Sequence, residues 1–142
     1  MIYVLDASAV LRFVDLEPGC ERMRQLFDEA SDDAATLLMS AVNWGEIITV
    51  AHRRLDAKRL DDFRAGLARL PIQIEDASVT QAESAGVLRA KFAIPYVDAF
   101  AASLTLAHSD GPTSEQATLV TADYDFKALP KGTIEIDFLP AK

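Results

Sequence analysis

Ile2-Tyr3-Val4-Leu5-Asp6-Ala7-Ser8 sets four apolar residues directly before a carboxylate and a helix-capping hydroxyl. A continuous apolar run rich in β-branched and aromatic residues reads as a strand covered on both faces, which is the habit of parallel sheets. The strand ends at Asp6, and Ser8 then caps a short helix through Phe13. Working outward, Pro18 and Gly19 punctuate the chain, and Met23, Leu26 and Phe27 mark one face of a helix to about Ala30. Beyond the small, acidic loop Ser31 to Ala35, Thr36 to Met39 is a second strand. Ser40 caps a helix from Ala41 to about Leu55, and Asp56 caps the next, Ala57 to Arg69, which Pro71 stops.

The same alternation continues to the end of the chain. Ile72 to Ile74 alternates as a third strand, and Ser78 to about Phe92 restores helical spacing. Pro95 takes the first position of a nearly all-apolar helix to about Ala107, and Ser109 to Gln116 is a loop. Thr118 to Thr121 is a fourth strand, Tyr124 to Leu129 a helical turn and Ile134 to Phe138 a fifth strand. Strands separated by helical segments imply right-handed crossovers and a parallel sheet with helices on both faces, and such folds place their sites beyond the carboxyl ends of the strands. No internal repeat or linker divides the chain, so residues 1–142 read as one domain.

Composition narrows the function classes. At 142 residues, 50% hydrophobic and 25% charged, the chain can hide roughly 70% of its unfolded surface in one core. No stretch approaches a membrane span, and the first residues lack the basic segment of a signal peptide, which places the protein in the cytoplasm. Cys20 is the only cysteine, excluding an internal disulfide and any multi-cysteine zinc site, and His52 and His108 read as solvated. A net charge of −8 argues against holding nucleic acid by bulk electrostatics. Between positions 53 and 69, however, Arg53, Arg54, Lys58, Arg59, Arg64 and Arg69 face only Asp56, Asp61 and Asp62. That segment is either a solvated helix pair or a strip that contacts a polyanion backbone.

Four carboxylates stand alone in apolar surroundings. Asp6 and Asp123 each end a strand, where a capping role competes with a chemical one. Glu46 is the sole charge from Ala41 to His52 and lies more than a turn inside its helix, beyond the reach of capping. Asp98 is the sole charge from Ala93 to Ala107. An acid is almost never buried without a partner. If the four converge, two carboxylates about 4 Å apart repel by roughly 4 kcal/mol at an effective dielectric near 20, so protons or cations must be taken up. Oxygen-only ligands favour Mg²⁺ or Mn²⁺, which can acidify a bound water and steady the charge on a leaving oxygen. Ser8, Ser40, Asn43 and Thr121 can supply supporting hydrogen bonds, and Asp125 can share or replace the role of Asp123.

Four segments stand out in order along the chain: Val4-Leu5-Asp6-Ala7-Ser8-Ala9, Ser40-Ala41-Val42-Asn43-Trp44-Gly45-Glu46, Val97-Asp98-Ala99-Phe100-Ala101-Ala102 and Leu119-Val120-Thr121-Ala122-Asp123-Tyr124-Asp125-Phe126. Together they resemble the PIN domain family and its VapC-type toxins. The resemblance implies a three-layer α/β/α sandwich around a parallel sheet of about five strands. It implies Asp6, Glu46, Asp98 and Asp123 as metal-holding catalytic acids, with Thr121 in support. It further implies Mg²⁺- or Mn²⁺-dependent RNA hydrolysis, a homodimer and a small cognate antitoxin. The loop Ser109 to Gln116 departs from the family's usual short turn. Two other readings stand beside it: a PIN-domain nuclease for RNA processing or for DNA, without a toxin role, and a non-enzymatic phospho-receiver, for which Glu75, Asp76 and Lys131 would be the groups to watch.

Overall fold

The structure, a computed structural model, describes residues 1–109 and 116–142. Five strands, β1 Ile2–Leu5, β2 Thr36–Ser40, β3 Gln73–Glu75, β4 Thr118–Thr121 and β5 Glu135–Phe138, form one sheet in the order β3-β2-β1-β4-β5. Every pairing is parallel. Val4 of the central strand lies between Leu38 and Leu119, so three buried side chains stack across the middle of one sheet face. Leu5, Leu37, Met39 and Val120 fill the opposite face.

The direction of travel decides which face each helix covers. From β1 the chain steps outward to β2 through α1 (Ala7–Val14) and α2 (Cys20–Ser31), then to β3 through α3 (Ala41–Arg54) and α4 (Ala57–Ala68). It then jumps back across β1 to β4 through α5 (Val79–Phe92) and α6 (Tyr96–Ser109). A right-handed crossover running the other way must lie on the other face. Accordingly Val10, Met23, Leu26, Ile47 and Leu67 from α1 to α4 pack with Leu5 and Met39, whereas Ala85, Leu88, Phe100 and Leu104 from α5 and α6 pack with Val4 and Leu119. A 3₁₀ turn, Tyr124–Ala128, buries Phe126 on the α6 face before β5. The reversal in strand order between β1 and β4 opens a crevice beyond their carboxyl ends.

Local signals act as expected in α3 and α4, where Ser40 accepts from the Val42 N–H at 3.2 Å and Asp56 from the Arg59 N–H at 2.9 Å. Three expectations need correction. Asp6, not Ser8, caps α1, because the helix starts directly after the strand and the Asp6 carboxylate reaches the Ala9 N–H at 3.0 Å. Pro95 precedes α6 rather than starting it, and its carbonyl takes the Ala99 N–H at 2.9 Å. The third strand, β3, sits at the sheet edge with Ile74 39% exposed, so its alternation does not mark a core face. The loop expected over Ser109 to Gln116 falls on residues 110–115, outside the described residues, while Ser109 closes α6.

Candidate active site

Asp6 is held by three donors. Its Oδ1 accepts the Ala9 N–H and the Ser8 hydroxyl at 2.7 Å, and its Oδ2 accepts the Thr121 hydroxyl at 2.5 Å. Each hydroxyl in turn receives a backbone N–H from the end of β4: Ala122 to Ser8 at 2.8 Å and Asp123 to Thr121 at 2.9 Å. Two relays therefore tie the strand ends of β1 and β4 together and leave both hydroxyl protons pointing at one carboxylate. Burial nevertheless raises the Asp6 carboxyl to about 6, the hydrogen bonds from Thr121, Ser8 and Ala9 pulling it down and the charge of Asp123 adding to the rise.

Asp98 enters from the first turn of α6 and is only 8% exposed. Its Oδ2 is buried with no hydrogen-bond partner among the described residues. Burial first, then the charge of Asp123 and a hydrogen bond with it, then Asp6 and Glu46, push the Asp98 carboxyl up to about 8. Glu46 is half-buried in the second turn of α3. Burial raises its carboxyl, Asn43 opposes this by donating from Nδ2 to Oε1 at 3.0 Å, and Asp123 raises it further. The Asn43 Nδ2 also reaches the Val97 carbonyl at 3.3 Å, joining α3 to the start of α6. Asn43 Oδ1 is the other buried oxygen without a partner among the described residues.

The structure thus brings Asp6, Glu46, Asp98 and Asp123 into one electrostatic neighbourhood, with Asp123 acting on each of the other three. The close-set triad among the described residues keeps Asp98 and Asp123, leaves out Asp6 and Glu46, and takes in Asp125, which the sequence offered only as sharing or replacing the role of Asp123. Carboxylate oxygens of Asp98, Asp123 and Asp125 lie within 4.8 Å of one another, with Asp123 capping the 3₁₀ turn by accepting the Asp125 N–H at 2.9 Å. This all-oxygen arrangement fits a hard divalent cation, because the orphaned Asp98 oxygen needs either a proton or a positive charge and no basic side chain among the described residues supplies one. A water pairing with the same oxygen would leave the mutual repulsion in place.

The profile of the PIN domain family matches residues 3–132. The chain belongs to the PIN domain family. No curated protein sequence matches this PIN domain significantly, but solved structures do. It resembles VapBC2 from Rickettsia felis bound to a DNA fragment from their promoter, at 21% identity and TM-score 0.74, covering 99% of this chain and 100% of that one. DNA-bound VapBC from Salmonella typhimurium aligns at 19% identity and TM-score 0.73, covering 97% and 98%. A toxin–antitoxin complex from Klebsiella pneumoniae aligns at 19% identity and TM-score 0.62, covering 94% and 99%. Likeness at this level establishes the fold.

Other sequence candidates lie apart from the acids. Ser40 is fully buried at the cap of α3, where its hydroxyl serves the helix that carries Glu46. Of the basic strip, Arg54 lines a groove that reaches Asp123, while Arg53, Lys58, Arg59, Arg64 and Arg69 are exposed elsewhere on α3, α4 and the residue after it. His108 is not simply solvated: half-buried at the end of α6, it meets Glu75 Oε1 at 2.7 Å. Lys131 precedes β5 and so stands at the amino end of the sheet, opposite the acids, which weighs against a phospho-receiver. The groove beside Asp123, lined also by Leu11, Arg12 and Lys142, had no signature in any single segment. No described helix is long and apolar enough to cross a membrane.

Proposed function

We propose that this PIN domain protein is a Mg²⁺- or Mn²⁺-dependent endoribonuclease, the toxin of a toxin–antitoxin pair acting in the cytoplasm. The observation that carries the reading is the buried, unpartnered Asp98 oxygen among carboxylates that raise its proton affinity. Asp6, Glu46, Asp98 and Asp123 hold the ion, with Asp125 sharing the outer side of the Asp123 position. When bound, the ion supplies Lewis-acid chemistry, acidifying water and neutralising charge on phosphate oxygens. The protein's own groups set the geometry: Ser8 and Thr121 fix both oxygens of Asp6, Asn43 fixes Glu46, and the α6 backbone aims Asp98 into the crevice. Arg53, Arg54, Lys58, Arg59, Arg64 and Arg69 are the candidate contacts to the RNA backbone.

The toxin assignment draws support from the structural neighbours, one of which is described as a toxin–antitoxin complex. A small antitoxin that covers the acidic crevice and a homodimer follow from the same reading. The test uses purified protein and a mixed-sequence RNA. Cleavage should require added Mg²⁺ or Mn²⁺, stop with chelator, and be absent in Asp98→Asn, whose expression should also spare growth. Metal-dependent cleavage of DNA but not RNA would overturn the substrate, and unchanged cleavage by Asp98→Asn would overturn the site.

A further inference from the structure

Resting on the ribonuclease reading, we propose that the groove between α1 and residues 141–142 seats the RNA strand leading to the acidic centre, with Arg54 and Lys142 as its phosphate contacts. The groove has a volume of about 490 Å³ and shares Ser8 and Asp123 with the centre, so a strand lying in it runs directly to the carboxylates. Three cations line it. Arg12 is buried and already committed, donating from one nitrogen to the Pro18 and Pro140 carbonyls, both at 2.8 Å. It acts as a clamp on the wall, helped by the Tyr124 hydroxyl, which donates to the Leu139 carbonyl at 2.8 Å.

Arg54 and Lys142 differ from Arg12 in being available. Their side chains are 58% and 64% exposed, and each rests on a groove carboxylate: Arg54 on Asp15 at 3.0 Å and Lys142 on Glu17 at 2.5 Å. Solvated pairs of this kind are held weakly, and a phosphate offers both cations an equivalent or better partner. A chain of net charge −8 whose acids crowd one crevice repels a polyanion. Two exchangeable cations at the mouth of that crevice offset the repulsion where the strand must enter. Asp15 and Glu17 are then competitors that RNA displaces.

The measurement is anisotropy of a labelled single-stranded RNA titrated with the full chain carrying Asp98→Asn, in Mg²⁺ and across a KCl series. Adding Arg54→Gln with Lys142→Gln should weaken binding by about tenfold at moderate salt and flatten the log–log salt dependence by about 1.4, at roughly 0.7 per lost phosphate contact. Adding Asp15→Asn with Glu17→Gln instead should tighten binding, which a purely structural role for these ion pairs does not yield. Unchanged affinity and slope in the first pair, or weakening in the second, overturns the proposal. If the unmodified protein cleaves RNA with Mg²⁺ while these variants match their Asp98→Asn parent in RNA affinity and salt dependence, the groove assignment alone fails. If the unmodified protein neither binds nor cleaves RNA, both readings fail.

Discussion

Asp98 shows how a single side chain can be costly to the fold and, in the proposed function, necessary to the site. In a metal-free protein its carboxyl titrates at about 8, far above the usual value of 3.8, and that of Asp6 at about 6. Between these values the folded state binds more protons than the unfolded one, so stability falls as pH rises. The loss runs from about pH 4 to about 6 for Asp6 and on to about 8 for Asp98. Asp98→Asn keeps the shape and removes the charge. In chelator it should unfold at a higher temperature than the parent at pH 8, with the difference shrinking toward pH 4, as calorimetry would show, while metal-dependent cleavage drops to background. An equal gap at both pH values would mean that charge is not the cause. Asn43 is the complementary case. It touches no substrate in this reading, but it holds Glu46 and bridges to Val97. Asn43→Ala should therefore lower metal affinity by about 10- to 100-fold by titration calorimetry, and raise the Mg²⁺ needed for half-maximal activity accordingly.

At the level of the element, the groove wall depends on a turn far from the acids. Gly19 has φ +100°, and a Cβ there would lie 2.9 Å from the Leu139 Cβ. Gly19→Ala thus incurs left-handed strain and a clash with the segment that walls the groove, a cost of about 1–3 kcal/mol that a lowered Tm would register. RNA affinity should weaken with it, whereas a mutation on the distant face of α4 should leave affinity alone. The elements themselves were legible where local chemistry is one-sided. Residues Ile2 to Leu5 are an apolar run with a polar stop, Thr118 to Thr121 sets Leu119 and Val120 between two β-branched threonines, and Ser40 and Asp56 are caps without rivals. Legibility failed where two local answers compete: Asp6 and Ser8 are both good caps, and only the strand-to-helix geometry shows that Asp6 caps while Ser8 hydrogen-bonds to it. It failed also where distance in sequence is large. The His108–Glu75 contact spans 33 residues, and the groove joins α1, α3 and the last residues. Asp125 was visible as a neighbour of Asp123, but its membership in the tight triad with Asp98 depends on how α6 lies against the 3₁₀ turn.

For the molecule as a whole, the acidic crevice sits where the two halves of the sheet diverge, so what binds there ties β1, β4, α3 and α6 together. In the absence of a cation these elements carry mutually repelling carboxylates into a buried place, with Asp123 acting on Asp6, Glu46 and Asp98 alike. A divalent ion that binds only the folded arrangement stabilises it by mass action, by about 2.7 kcal/mol at a hundred times its dissociation constant. Protons compete for the same oxygens. At pH 5.5 Asp98 and much of Asp6 are protonated and Mg²⁺ must displace those protons; at pH 8.5 both are ionised in large part and the ion meets less competition. The rise in Tm produced by 10 mM Mg²⁺ should therefore be larger at pH 8.5 than at pH 5.5, opposing the alkaline loss of stability that the metal-free protein shows. Asp98→Asn and Asp123→Asn should both shrink the rise and flatten its pH dependence, and an equal concentration of a monovalent salt should not reproduce it. A Mg²⁺ effect of the same size at both pH values, or one retained in both variants, would mean that the ion binds elsewhere and that the crevice relieves its charge by protons alone.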